Sequence, residues 1–207
     1  DRSIRSFLTQ DIYNDFDMVN AVPTILKYVV NKYYPDKCFP SLSKYIVARD
    51  DLITQEITKT YVISVLNNQN YKNNIDNAFF NALFNEFEII RNLIWENPPL
   101  DHVKKPSKKE ENYKGSFITD IMHEFENNIL SESIKDLDSS KIGSLMYDGF
   151  YYDINEPIQP IISKLNNNKY GVKWIVKSNK SSIIKDDSLI VNKPIQSYSS
   201  IKKEFEK

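Results

Sequence analysis

Cysteine is nearly absent from this chain: Cys38 is the single thiol among 207 residues. No internal disulfide framework can form, and a reducing, intracellular compartment is the expected setting. Histidine is almost as scarce, and His102 and His123 cannot assemble a Cys/His set for a structural zinc. The four glycines, Gly115, Gly143, Gly149 and Gly171, have no phosphate-loop spacing. No window approaches the roughly 18 consecutive apolar residues of a membrane span, so no membrane role is expected. Charge of one sign is lacking too. A formal net charge of -1 argues against a uniformly basic nucleic-acid binder, although a local basic groove fits within that balance. The chain begins at Asp1 without an initiating Met or a charged-then-apolar leader, and is expected to be a piece of a longer protein.

The apolar content is ample. At 41% hydrophobic and 13% aromatic, the chain can bury the core of one large domain or two small lobes. Ile12 and Phe16 are spaced for a half-buried strand within Phe7 to Asp17, followed by an apolar helix over Val19 to Tyr34 with Pro23 in its first turns and Pro35 at its end. Apolar residues recur near helical spacing from Ser41 to about Asn67, with a break expected near Asp50. Ala78 to Glu96 carries an apolar stripe of Phe79, Leu83, Phe87, Ile90 and Ile94. The lysine-rich run from Val103 to Gly115 has no apolar period and reads as a mobile loop. Ser116 to Leu130 is helical by Phe117, Ile121, Phe125 and Ile129, and Glu124 and Glu126, which flank Phe125, read as a solvated helix face. The period then changes: Lys141 to Asp153 predicts a hairpin about Asp148-Gly149, Ile158 to Asn166 a helix, and Val172 to Lys177 a strand.

Two carboxylates attract attention because a strand end or hairpin turn is a low-entropy perch for a metal ligand. They are Asp17 and Asp148. Locally each has a plainer reading: Asp17 as a helix N-cap, Asp148 as half of an Asp-Gly type I' turn. Their shared context points further. Asp15-Phe16-Asp17-Met18-Val19-Asn20-Ala21-Val22-Pro23-Thr24-Ile25-Leu26 resembles the first palm motif of the transposon and virus polymerases related to superfamily A DNA polymerases and single-subunit phage RNA polymerases. Asp17 matches that motif's metal-binding Asp and Pro23 its proline, whereas Val22 stands where His is expected. Ile142-Gly143-Ser144-Leu145-Met146-Tyr147-Asp148-Gly149-Phe150 is similar to the final palm motif, an apolar strand then His-Asp-Glu in bacterial repair polymerases. Asp148 carries over as the second metal ligand, and Gly149 supplies no carboxylate. A third acid would come from elsewhere, with Asp15 and Asp153 as candidates, and the resemblance also includes a Glu on a helix at about the place of Glu124 and Glu126. Between the two motifs, Lys59-Thr60-Tyr61-Val62-Ile63-Ser64-Val65-Leu66 resembles the fingers motif whose Lys binds the incoming triphosphate. Arg49 reaches the same ligand only if its helix is continuous with that of Lys59 or bends suitably.

The resemblance implies an α+β fold, a small antiparallel palm-like sheet with a large helical fingers-like insertion. It divides the chain into a first palm segment (1–22), the insertion (23–137, with the mobile loop near 103–115), a second palm segment (138–178) and an unassigned tail (179–207). It implies a template-directed nucleotidyltransferase of a virus or mobile element, a DNA polymerase with priming as an additional capacity. The expected catalytic residues are Asp17, Asp148 and Lys59, the metal ligands Asp17 and Asp148, and the substrate contacts Lys59 and Arg49. Two Mg2+ ions, a DNA primer-template, nucleoside triphosphates and a superfamily-three helicase domain on the missing part of the chain are the implied cofactors and partners. The implied location is a viral replication site or the host cytoplasm or nucleus. Two alternatives stand beside it: a noncatalytic helical nucleic-acid-binding or adaptor module of a replication complex, and a degenerate polymerase domain kept as a scaffold.

Overall fold

Alternating apolar residues build the central strand β1, Tyr13–Val19, in which Phe16 and Met18 are fully buried. Three further strands complete the sheet: β2 (Ile142–Met146), β3 (Gly149–Asp153) and β4 (Lys173–Lys177). They form one antiparallel sheet in the order β2-β3-β1-β4. The computed structural model describes residues 8–9, 11–54, 56–72, 75–146 and 148–177, and all the elements lie within one compact unit, Asp11–Ser178. The sheet is pinned by aromatic pairs. Phe16 lies opposite Phe150 with rings stacked 5.1 Å apart, and Trp174 packs on Phe150 at 5.7 Å. Such pairs stabilise a sheet by roughly 0.5–1.5 kcal/mol beyond their buried area.

Between β1 and β2 lie five helices: α1 (Ala21–Tyr33), α2 (Pro40–Leu52), α3 (Lys59–Leu66), α4 (Ala78–Glu96) and α5 (Tyr113–Ile134); α6 (Ile158–Asn166) joins β3 to β4. Helix α5 packs against α1 and α4, while α4 also carries α2 and α3. Two buried or half-buried charges on α4 fix those partners by satisfying helix ends. Glu86 accepts both the Ser41 and the Leu42 amide at 2.8 Å at the start of α2. Arg91, almost fully buried, donates from Nη1 to the Val65 and Leu66 carbonyls at 2.8 and 3.0 Å at the end of α3. A cation there also suits the negative end of the helix dipole. The other end of α3 is capped by Thr58, whose hydroxyl accepts the Tyr61 amide. Helix α3 is therefore located at both ends, which fixes where Lys59 emerges.

An α+β architecture with a small antiparallel sheet and a helical insertion is what the sequence led us to expect, but four details differ. First, β1 begins at Tyr13 and runs on to Val19. Ile12 lies outside it and is exposed, because ladder pairing starts at Tyr13 opposite Asp153 and continues through Val19 opposite Lys173. Asp17 is consequently mid-strand and not a helix cap; that position falls to Asn20, in the left-handed region at φ 51°. Asparagine tolerates this conformation, and here its amide donates to the Ile46 carbonyl at 3.3 Å. Second, Arg49 and Lys59 do not share a helix. Helix α2 ends at Leu52, and a turn in which the Ile57 amide donates to Thr54 Oγ1 separates it from α3. Third, Asp148-Gly149 is not a type I' pair, which requires positive φ at both residues. Among the described glycines only Gly171 has positive φ, and Gly149 already pairs with Met146 and Asp17. The lysine-rich run ends sooner than expected, with α5 starting at Tyr113. Tyr147 and the tail 179–207 lie outside the described residues, as does most of the segment before Asp11.

Candidate functional site

Asp17 occupies the middle of the central strand, opposite Gly149 on β3 and Ile175 on β4. Asp148 sits in the turn that leads into β3, and its carbonyl accepts the Met18 amide at 2.8 Å. One backbone hydrogen bond thus locks together the segments carrying the two aspartates. Gly149 makes this approach possible. A Cβ at that position would lie 2.3 Å from the Phe16 carbonyl oxygen and 3.4 Å from Asp17 Cα. The missing carboxylate of the Tyr147-Asp148-Gly149 segment is therefore a matter of space, since no side chain fits there without moving β1. Gly149→Ala is expected to destabilise the fold by about 3 kcal/mol, at the upper end of overpacking costs because the obstacle is backbone. Thermal unfolding followed by circular dichroism reads this directly.

The side chains around the two aspartates form a mixed-charge group. Asp17 is 8% exposed. Burial raises its pKa, and the neighbouring Asp148 charge raises it further, while a hydrogen bond and charge from Lys177 and the charge of Lys59 oppose the rise. Lys177 Nζ lies 2.5 Å from Asp17 Oδ1. Lys59 is the first residue of α3 and is exposed, and its charge acts both on Asp17 and on Glu126. Glu126 projects from α5 and is only 5% exposed. Burial first, then the Asp148 charge, push its pKa to about 7, with Lys59 opposing. Charges carried by β1, the β2–β3 turn, α3, α5 and β4 therefore act on one another, with Asp17 and Lys177 in direct contact.

Sequence reasoning missed Lys177 and gave Glu126, along with Glu124, a solvated face as its plain reading, beside the helix Glu of the polymerase resemblance. Only Glu124 behaves that way, reaching the exposed His102 ring at 3.3 Å. A usable signal was present: Ile118, Met122 and Leu130 are all buried on α5, and Glu126 falls at helical spacing between Met122 and Leu130. Lys177 was placed on a strand, yet its neighbourhood follows from β4 pairing with β1, which no local pattern announces.

Arg49, Asp153 and Tyr61 have other partners, while Asp15 stays on the strand that carries Asp17. The Arg49 guanidinium bonds Asp50 at 2.7 Å and the Asn20 side-chain oxygen, so it braces the junction of β1 and α1. Asp153 accepts the Asn155 amide at 2.8 Å and ends β3. Asp15 shares a strand face with Asp17, two residues away. Tyr61 is half-buried, bonds the Tyr71 hydroxyl and packs with Tyr71 and Phe84.

A divalent cation at this place would be held by Asp17 and Asp148. Their donors are hard carboxylate oxygens of the kind magnesium takes, and their mutual repulsion is of the sort that a cation relieves. Among the described residues, no group of three or more His, Cys, Asp or Glu side chains is arranged to hold a metal. In comparisons with known proteins, no family model, curated protein or solved structure matches this chain.

Proposed function

We propose that this chain is a template-directed nucleotidyltransferase, a DNA-synthesising polymerase domain of a virus or mobile element in which β1 to β4 form the palm and the helices between β1 and β2 the fingers. The observation that carries the reading is the meeting of Asp17 and Asp148 across the β1–β3 ladder, with Lys59 close enough for its charge to act on Asp17. Asp17 and Asp148 would hold Mg2+. When bound, two such ions would activate the attacking 3'-hydroxyl and neutralise charge on the leaving pyrophosphate.

The chain's own groups have separable tasks. Asp17 is fixed by ladder pairing on both sides, so its carboxylate is placed without a large entropy cost. Lys59, carried by a helix anchored through Thr58 and Arg91, supplies a cation for the triphosphate; a positioned cation stabilises charge that develops as pyrophosphate leaves. Arg49, tied to Asn20 and Asp50, keeps β1 and α1 in register instead of contacting the triphosphate. DNA primer-template and nucleoside triphosphates are the substrates of this reading, with a helicase on another part of a longer chain as its implied partner.

A second reading has its own support. The Lys177 ammonium already neutralises Asp17 at 2.5 Å, as it would in a degenerate polymerase domain retained as a scaffold. Primer extension separates the two. The 207-residue chain, supplied with a labelled primer-template, deoxynucleoside triphosphates and Mg2+, extends the primer if the site is active, and EDTA stops it. Lys59→Ala then raises KM for the triphosphate. Tight DNA binding with no extension under any divalent ion would select the scaffold.

A further inference from the structure

The near-zero net charge of the chain conceals a local excess of positive charge. Lys27, Lys32 and Lys169 line a cavity of about 480 Å3 between α1, α2 and the loop joining α6 to β4, together with Tyr28, Tyr170 and Ile46. No Asp or Glu lines it. Lys27 and Lys32 have no carboxylate partner among the described residues. Lys169 has one, Glu132 at 2.9 Å, which belongs to an adjoining cavity of about 330 Å3 with Lys169 and Tyr170 as the shared wall. The place is separate from the two aspartates. None of the three lysines is among the charges that act on Asp17, and Asp17 leaves β1 on the face opposite to that of Phe16 and Met18.

Aromatic rings sit among these cations. Tyr28 and Tyr170 meet edge to face with centroids 4.9 Å apart. An ammonium stands on each ring, Lys32 Nζ at 5.5 Å from the Tyr28 centroid and Lys169 Nζ at 4.9 Å from that of Tyr170. Lys32 Nζ also donates to the Tyr28 hydroxyl at 3.2 Å. Lys27 and Lys32, five residues apart on α1, are about 7.5 Å apart along its axis, so the cations are spread along the cavity instead of converging on one point. A small anion calls for convergence. Cations spaced along a groove, interleaved with rings, suit a nucleic-acid strand, whose phosphates pair with lysines and whose bases stack on aromatic faces. The cavity has the size of an ordinary ligand pocket, enough for one nucleotide, and the wall shared with the second cavity lets a strand continue.

We infer that this cavity is a groove for single-stranded nucleic acid, in which Lys27, Lys32 and Lys169 contact phosphates and Tyr28 stacks with a base. An arriving phosphate draws the Lys32 ammonium off the Tyr28 ring and opens its face to the base. A duplex does not fit this chemistry, because its base faces are already stacked on one another. The groove does not depend on the metal pair, and it serves an active polymerase and a retained scaffold alike.

Fluorescence anisotropy of a labelled oligothymidylate, titrated with the 207-residue chain in EDTA, tests the groove without metal or catalysis. Lys27→Ala, Lys32→Ala and Lys169→Ala are each expected to weaken binding several-fold and to lower the slope of log affinity against log salt by about 0.7. Lys109→Ala, in an exposed stretch outside the groove, leaves both unchanged. Tyr28→Leu is expected to weaken binding about 10-fold with the salt slope retained; circular dichroism verifies folding, and if that variant does not fold, the double variant Lys27→Glu, Lys32→Glu carries the test by abolishing binding. Unaltered affinity and slope in the three lysine variants would overturn the inference, as would failure of the wild-type chain to bind the strand. Free thymidine triphosphate or polyglutamate competing as well as unlabelled oligothymidylate would overturn it too. Asp17→Asn keeps full binding here, so loss of primer extension and loss of the groove are read separately.

Discussion

Asp17→Asn or Asp148→Asn lowers the rate of magnesium-dependent primer extension by on the order of 10^3-fold or more, and the double variant is scarcely worse than either single one. Non-additivity follows from the arrangement. The two carboxylates belong to adjacent segments locked by the Met18–Asp148 hydrogen bond, and a cation bridging them needs both. Folding should survive each change. Asn is nearly isosteric with Asp, and Asp17→Asn removes a buried charge whose ionisation is already disfavoured by burial and by Asp148. What it loses is the pairing with Lys177. The measurement is single-turnover extension at saturating triphosphate, with thermal unfolding recorded alongside. Two independent losses that multiply would show that the aspartates do not act as a unit.

In metal-free buffer, stability falls as pH rises from near 4.5 towards 7, the interval between the ordinary carboxyl value of Glu126 and its raised folded one. The sign follows from proton binding. A carboxyl whose folded-state pKa is raised holds its proton more tightly folded than unfolded, so its contribution is full below the unfolded pKa and is lost as pH climbs through the folded pKa. For Glu126 the loss amounts to at most about 3 kcal/mol, taking ~1.4 kcal/mol per pH unit. Asp17 adds in the same direction, because its pKa is also raised. The groups facing Glu126 are Asp148, which increases the effect, and Lys59, which diminishes it. Glu126→Gln should flatten most of this dependence and make the metal-free protein more stable than wild type above pH 7. Chemical denaturation at a series of pH values between 4.5 and 8 measures both. A profile in which wild type gains stability across that range would contradict the burial of Glu126 as a charged group.

Helices were the most legible elements, for a physical reason. The apolar stripe of α4 and the Pro157-led start of α6 are local signals, and their bounds, Ala78–Glu96 and Ile158–Asn166, match the sequence reading. The ends of β1 were less legible because a strand extends as far as its partners allow. Phe16 announces the strand, but its continuation past Asp17 to Val19 depends on β4, which comes much later in the chain. The site followed the same division. Asp17, Asp148 and Lys59 stood out from short motifs, and the fold brings their charges into range of one another. Lys177 and Glu126 enter through tertiary pairing and helix rotation. Arg49 was linked to Lys59 on the premise of a continuous or bent helix, and the turn at Thr54 to Thr58 breaks that link.

The relation between Gly149 and Glu126 gives the site its particular character. The Phe16 carbonyl oxygen forbids a side chain at position 149, which lies opposite Asp17, so the start of β3 adds no carboxylate beside the aspartate pair. Helix α5 brings one such group, buried and subject to the Asp148 charge. Lys177 meanwhile pairs with Asp17 and partly offsets the rise in its pKa caused by burial and by Asp148. On the proposed reading a metal would compete with Lys177 for the same carboxylate, and the scaffold reading corresponds to Lys177 winning.

The most direct test of the central claim is anomalous diffraction from crystals of the 207-residue chain soaked in Mn2+ and a non-hydrolysable nucleoside triphosphate. The account predicts a manganese peak within direct coordination distance of carboxylate oxygens from both Asp17 and Asp148, about 2.0–2.3 Å, with the triphosphate towards Lys59. Manganese held elsewhere, with Lys177 still paired to Asp17 and no density bridging to Asp148, would contradict it.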